Sequence, residues 1–250
     1  MDPRYEDLWA KKVKNPPWSP GEGGAYGRNE RVLDAMKNGE LRTGGSYLDL
    51  GAGRGDLAAE VRRRRHYEEV VLVDGSEEAR DYAQNYHEFP FRQVYGIELT
   101  RLWPWTASVF GAITCLDVIE HIYPFDIMLR EAFRCLKPGG QLWLSTPNLL
   151  YEGWLMTLLR GDLPRTSADG DEPLPHGGHV TPGFTYYYLD WWLQKIGFTT
   201  ERFGMPSQVA GYADPFLRQR WLEGRGGTFR PAWEAWDAGT CDLIIRGTKP

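Results

Sequence analysis

Short apolar runs alternate with stretches of helical periodicity along the first half of the chain, and glycine, proline or aspartate marks most of the changes between them. Arg28 to Asn38 carries Val32, Leu33 and Met36 at helical spacing and closes at Gly39. Ser46 to Leu50 reads as a strand, Gly55 to His66 as a helix, Glu69 to Val73 as a strand and Glu77 to Tyr86 as a helix. Phe91 to Tyr95 and Val109 to Leu116 supply a third and a fourth strand. Pro124 to Leu136 reads as a helix that opens at a proline, whose missing N–H costs nothing in a first turn, and ends at Lys137-Pro-Gly-Gly140. Gln141 to Ser145 is the fifth strand. Strands alternating with helices predict right-handed crossovers and a parallel sheet, with ligands at the carboxyl ends of the strands.

Beyond Asn148 the pattern changes. Tyr151 to Arg160 reads as a helix, and Gly161 to Pro182 as a loop rich in Gly, Pro, Asp and His, long enough to suggest a lid or substrate loop. Tyr186, Tyr187, Tyr188, Trp191 and Trp192 crowd a helix that ends near Gly197. Phe198 to Phe203 and Cys241 to Gly247 give the last two strands, an antiparallel pair at one edge, with Gly204 to Thr240 as an irregular aromatic insertion. The expected architecture is one α/β domain over residues 1–250: a doubly wound, seven-stranded, mostly parallel, Rossmann-like sheet with an antiparallel edge strand. Within it, 1–27 is an N-terminal arm rich in Pro, Gly and Trp, 28–148 a cofactor-binding core, and 149–250 the substrate side with a C-terminal lid or insertion.

A chain of 250 residues can bury roughly 70 to 75% of its unfolded surface, enough for a single sizeable core. The net charge of -5 argues against a general nucleic-acid partner, which leaves a basic footprint. The basic run Arg62 to Arg65 falls late in a helix, where cations favour the dipole. Cys115, Cys135 and Cys241 show no paired spacing and read as reduced thiols. The start, Met1-Asp-Pro-Arg-Tyr, lacks a basic region followed by an apolar one, and no stretch reaches membrane-spanning length. A cytoplasmic protein with no membrane partner is expected, and the oligomeric state is left open.

The stretch that carries chemistry is Leu48-Asp-Leu-Gly-Ala-Gly-Arg-Gly-Asp-Leu57, an apolar strand end running into Gly51, Gly53 and Gly55. Such a turn lets a ligand lie against bare peptide while the following helix offers free N–H groups to anions. A dinucleotide fingerprint would want its third glycine where Asp56 stands. A pyrophosphate would also sit poorly beside Asp49 and Asp56, whereas a cofactor with an adenosine end, a zwitterionic end and a positive centre suits them. Asp74 follows about 20 residues later at the end of the second apolar run, where an acid can hold ribose hydroxyls, or else serve as a turn or helix-cap acid.

Three motifs in order, Leu48-Asp-Leu-Gly-Ala-Gly-Arg-Gly55, Leu116-Asp-Val-Ile-Glu-His121, and Leu136-Lys-Pro-Gly-Gly140 with Leu144-Ser-Thr-Pro-Asn148, resemble the class I S-adenosylmethionine-dependent methyltransferases. The looser pattern of Leu159-Arg-Gly-Asp-Leu-Pro164, His179 and Phe184-Thr185 is similar to members that act on sugars, quinones and other small metabolites. The resemblance implies S-adenosyl-L-methionine as cofactor, with Asp49, Gly51, Ala52 and Gly53 cradling its methionine end. Asp74, with Gly75 beside it, would bind the ribose, and Asp117 would lie on the sulfonium side. Ile97 stands where an acid near the adenine is usual, so either Glu98 substitutes or backbone and apolar contacts hold the base. Arg28 could meet the cofactor carboxylate or be an ordinary surface arginine.

Methyl transfer from a sulfonium needs alignment and exclusion of water more than covalent help. A base is needed only where the acceptor must lose a proton, and His121 and His179 are the candidates. His121 reads equally as a structural histidine. Asp169, Asp171, Glu172, His176 and His179 lie close in sequence, but Gly177-Gly178 separates the two histidines, so no rigid helix presents both to one ion, and no metal is expected. The leading expectation is methylation of a small-molecule acceptor, most simply on oxygen. The alternatives are a noncatalytic S-adenosylmethionine-binding protein and an NAD-dependent oxidoreductase, the second disfavoured by Asp56 and the Asp117 to His121 segment.

Overall fold

The computed structural model describes residues 27–161, 181, 183–206 and 240–250. The chain runs α1 (Gly27–Lys37), β1 (Ser46–Leu50), α2 (Asp56–Arg63), β2 (Glu69–Val73), α3 (Glu77–Asn85), β3 (Val94–Tyr95), β4 (Phe110–Leu116), α4 (Phe125–Cys135), β5 (Leu136–Pro147), α5 (Glu152–Leu159), α6 (Tyr186–Ile196), β6 (Thr199–Pro206) and β7 (Thr240–Thr248). One seven-stranded sheet has the order β3-β2-β1-β4-β5-β7-β6. β1 pairs in parallel with both β2 and β4, which puts the reversal of strand order between β1 and β4. In open α/β sheets a ligand crevice forms outside the strand ends at that reversal. The antiparallel edge takes the form of β7, which runs against β5 on one side and β6 on the other.

Both faces of the sheet are covered, which is why the strands are apolar runs rather than alternating ones. Leu48, Leu50, Val71, Val73, Ile113, Leu142, Leu144 and Ile245 pack on one face against α4 and α6 through Met128, Leu129, Leu189 and Leu193. Tyr47, Val70, Leu72, Ala112, Trp143 and Ile244 pack on the other against Val32, Leu33 and Met36 of α1 and Leu57, Ala58 and Val61 of α2. Asp49 and Thr114 share this second face, two residues along their strands from Tyr47 and Ala112.

Two elements differ from their sequence expectation. The third strand shrinks to Val94–Tyr95 because Pro90 opens a 3₁₀ turn over Phe91–Gln93, closed by Gln93 N–H on the Pro90 carbonyl at 2.8 Å. Lys137-Pro-Gly-Gly140 does not lie between helix and strand; α4 ends at Cys135 and β5 begins at once. Phe110 pairs with Leu136 and Ala112 with Gln141, so the motif is an irregular strand start that absorbs the extra residues. Gly140 is required there, since a Cβ would stand 2.8 Å from the Lys137 carbonyl oxygen.

The aromatic helix is partly packing, with Tyr186 buried while Tyr187, Tyr188 and Trp191 stay exposed. Thr185 caps α6, the Tyr186 hydroxyl donates to the Phe203 carbonyl at 2.7 Å and accepts from Ile244 N–H at 3.1 Å, and Phe125 meets the rings of Phe184, Tyr188 and Trp192. Trp103 is buried, and the half-buried Trp105 makes edge contacts with the rings of Tyr95 and Phe110. Cys115 and Cys135 are buried free thiols, and Cys241 has no described side chain. Among the described residues no helix is long and apolar enough to cross a membrane.

Candidate active site

The glycine turn between β1 and α2 runs through three left-handed residues, with φ of +62° at Gly51, +56° at Gly53 and +82° at Gly55. At Gly51 the turn has no room for a side chain, because a Cβ would overlap the Val118 methyl groups. Ala52 N–H bonds the Val73 carbonyl at 2.9 Å, so the turn is fastened to the end of β2. Asp74 completes that fastening: its Oδ2 accepts from Gly53 N–H at 2.7 Å and its Oδ1 from Ser76 N–H at 2.8 Å. Arg80 holds the next two carbonyls, donating to those of Asp74 and Gly75 at 2.9 and 2.8 Å. Asp56, in the place of a dinucleotide glycine, accepts from Arg54 at 3.1 Å and pairs with His87 at 2.7 Å.

Asp49 lies under the turn. Tyr47 donates to Thr114 at 2.6 Å and Thr114 donates to Asp49 Oδ1 at 2.7 Å, a chain that fixes the carboxyl against the sheet. Burial pushes the Asp49 carboxyl up to about 7, with the Thr114 hydrogen bond opposing and the Asp74 charge assisting.

Across the crevice, Asp117 ends β4 in a left-handed conformation with φ +53°. Its N–H bonds Ser145 of β5, Ser145 Oγ donates back to Asp117 Oδ1 at 2.7 Å, and Arg28 of α1 pairs with Oδ2 at 2.7 Å. Glu120 is buried in the 3₁₀ turn Ile119–His121 and accepts from Thr146 at 2.9 Å. Burial and then the Asp117 charge push its carboxyl well up, so its neutral form is favoured. His121 closes the same turn, half-buried, four residues from Asp117.

The sheet thus brings together Asp49, Gly51, Ala52, Gly53, Asp74 and Gly75 on one side of the crevice and Asp117, His121 and Arg28 on the other. Glu98 stands apart: it is exposed and drawn to Arg101 at 2.7 Å and Thr100 at 2.8 Å, while Ile97 packs on the core. His179 and the acids near it lie outside the described residues. Sequence reasoning missed Ser145, which holds Asp117, and Arg80, which holds the Asp74 and Gly75 carbonyls. Ser145 was within reach, lying one residue into Leu144-Ser-Thr-Pro-Asn148.

Residues 26–202 match the family described as Methyltransferase domain. The chain belongs to that family. The resemblance to the class I S-adenosylmethionine-dependent methyltransferases is thus borne out in family and in fold. Among curated relatives, a ubiquinone biosynthesis O-methyltransferase of Coxiella burnetii is 31% identical over 117 residues, 46% of this chain and 49% of that protein. Another, from Pseudomonas putida, is 29% identical over 136 residues, covering 50% of this chain and 56% of its own length. The chain therefore spans about half the length of the curated relatives it matches. A solved S-adenosylmethionine-dependent methyltransferase from Archaeoglobus fulgidus superposes with a TM-score of 0.58 at 16% identity, over 88% of this chain and 94% of that one, a likeness of fold.

The residues present fit the cofactor. The acids on both sides of the crevice suit a ligand that carries a sulfonium and an ammonium.

Proposed function

We propose that this chain transfers the methyl group of S-adenosylmethionine to an oxygen of a small-molecule acceptor. The observation that carries the reading is the pairing of a backbone-fastened glycine turn with a side-chain-held acid, Asp117, across the reversal of strand order. Asp49 to Gly53 cradles the methionine end, Asp74 and Gly75 the ribose, and Arg28 the cofactor carboxylate. Asp74 accepts Gly53 N–H on Oδ2 and Ser76 N–H on Oδ1, so its carboxylate is held at the end of β2 beside the glycine turn. The adenine is held by backbone and apolar contacts such as Ile97 rather than by Glu98, which Arg101 and Thr100 draw off.

Bound S-adenosylmethionine supplies an already activated methyl group. The work left to the chain is to align the acceptor and keep water out. His121, four residues past Asp117, and His179 are the proposed bases for an acceptor hydroxyl. The acceptor is a hydroxylated ring or sugar, a class supported by the ubiquinone biosynthesis O-methyltransferase relatives, and the reaction is cytoplasmic. Methyl-labelled cofactor offered with a panel of hydroxylated aromatic rings and sugars should yield a labelled ether. Calorimetric binding of S-adenosylhomocysteine with no transfer to any acceptor would instead favour a noncatalytic binding protein.

A further inference from the structure

β7 runs antiparallel to β5, so its first residues lie beside the last residues of β5, where the parallel strands present their carboxyl ends. The register puts Asp242 opposite Pro147, on the sheet face that also carries Ser145 and is covered by α1. Arg28 reaches from α1 to two carboxylates, Asp117 at 2.7 Å and Asp242 at 3.9 Å. Their side chains keep 23% exposure for Arg28, 22% for Asp117 and 21% for Asp242, so all three border open space rather than the core. Glu120 adds a third carboxyl, but it is buried on Thr146 in a setting that favours its neutral form. Among the described residues, two carboxylates here share the Arg28 guanidinium, with His121 in the same turn as Glu120.

We infer that Asp242 determines cofactor specificity, as the second carboxylate through which this corner prefers the positively charged methyl donor to the product left after transfer. The inference rests on the proposed methyl-donor site. When the methyl leaves for the acceptor, the electron pair of its bond to sulfur stays on sulfur, and the sulfonium becomes a neutral thioether. Ammonium and carboxylate are the same in donor and product, so what tells the two apart electrostatically is the potential at the sulfur, which a nearby carboxylate makes more negative. A pocket with a negative potential there loses an attraction as the reaction completes, and favours release of product. Arg28 offsets part of the repulsion between Asp117 and Asp242 before the cofactor arrives.

The groups facing Asp242 are Arg28 from α1 and Asp117 from the end of β4, with Glu120 behind Asp117. Burial and then the Asp117 charge push the Asp242 carboxyl up to about 6, with Arg28 opposing. The donor preference should therefore weaken as pH falls below that value. Asp49 titrates in an overlapping range, so the part due to Asp242 is the difference between wild type and a variant that keeps Asp49.

The test is calorimetry on the full chain with S-adenosylmethionine and S-adenosylhomocysteine separately, at about pH 7.5 and about pH 5. Asp242→Asn should weaken the donor about tenfold at the higher pH and the product by less than about twofold. Its preference should also change less with pH than that of the wild type, and Asp242→Glu should restore the donor. Asp242→Ser serves if the asparagine variant does not fold. Equal weakening of both ligands would make Asp242 a structural residue and overturn the inference, as would unchanged binding of both. A wild-type chain that binds neither ligand would sink the methyl-donor site itself, and the inference with it.

Discussion

Asp74 and Asp117 are both strand-end aspartates on the same edge of the sheet, but they are held by different kinds of group. Asp74 takes backbone N–H groups on both oxygens, from Gly53 and from Ser76 just after it. Asp117 takes side chains on both oxygens, Ser145 from β5 and Arg28 from α1. An acid on backbone donors is part of the chain's own conformation: remove it and two buried N–H groups lose their acceptor. An acid on side chains can exchange partners without unfolding anything, and Arg28 already touches a second carboxylate in Asp242. The β1–β2 side of the crevice is thus a rigid seat, and the β4–β5–β7 side is where charge can respond to a ligand.

The seat should be the more fragile side. Gly51→Ala meets Val118 with a backbone at φ +62°, and strain plus overlap should cost about 2–4 kcal/mol. Its melting temperature should fall and its affinity for S-adenosylhomocysteine should drop at least about a hundredfold; wild-type affinity would show that the turn is not a seat. Asp74→Ala comes next, with about 2–4 kcal/mol lost for two orphaned N–H groups and a large loss of cofactor affinity. Unchanged affinity would remove the ribose assignment.

Asp117→Asn should sharpen the contrast in the other direction. Donor affinity should fall by about tenfold while urea unfolding shifts by less than about 1 kcal/mol, because a partly exposed ion pair adds little stability. A loss of stability as large as that of Asp74→Ala would erase the distinction between the two aspartates.

The smallest effect, taken per pH unit, is a slope of at most about 1.4 kcal/mol. The Asp49 carboxyl is raised from 3.8 to about 7 on folding, so the folded state keeps a proton that the unfolded chain gives up. That contribution is fully present below the unfolded value and is lost as pH rises through the folded one. Unfolding free energy of the ligand-free chain should therefore decline between about pH 4 and about pH 7, and Asp49→Asn should flatten the decline.

Much of this was legible in the chain. The apolar runs at Ser46 to Leu50 and Glu69 to Val73 fixed both strands and the turn between them, because local pattern and tertiary demand agree there. Lys137-Pro-Gly-Gly140 was misread because proline and glycine look like punctuation, whereas β4 supplies a partner that draws them into a strand. Trp103 has the ring chemistry of a ligand platform, but Glu131 holds its backbone N–H at 2.8 Å and the ring is buried. Glu98 had the right chemistry and the wrong neighbours, Arg101 and Thr100.

What the sequence determined by itself was the order of strands and helices, the glycine turn and the acid that follows it, because these depend on residues close together in the chain. Only the tertiary structure decided the far side of the crevice. Arg28, Asp117, Ser145 and Asp242 meet there across more than two hundred residues of chain, brought together by a parallel pairing of β4 with β5 and an antiparallel return along β7. Strand register and direction are set by which faces can be buried together, and no local pattern around Asp242 records that it will stand beside Asp117.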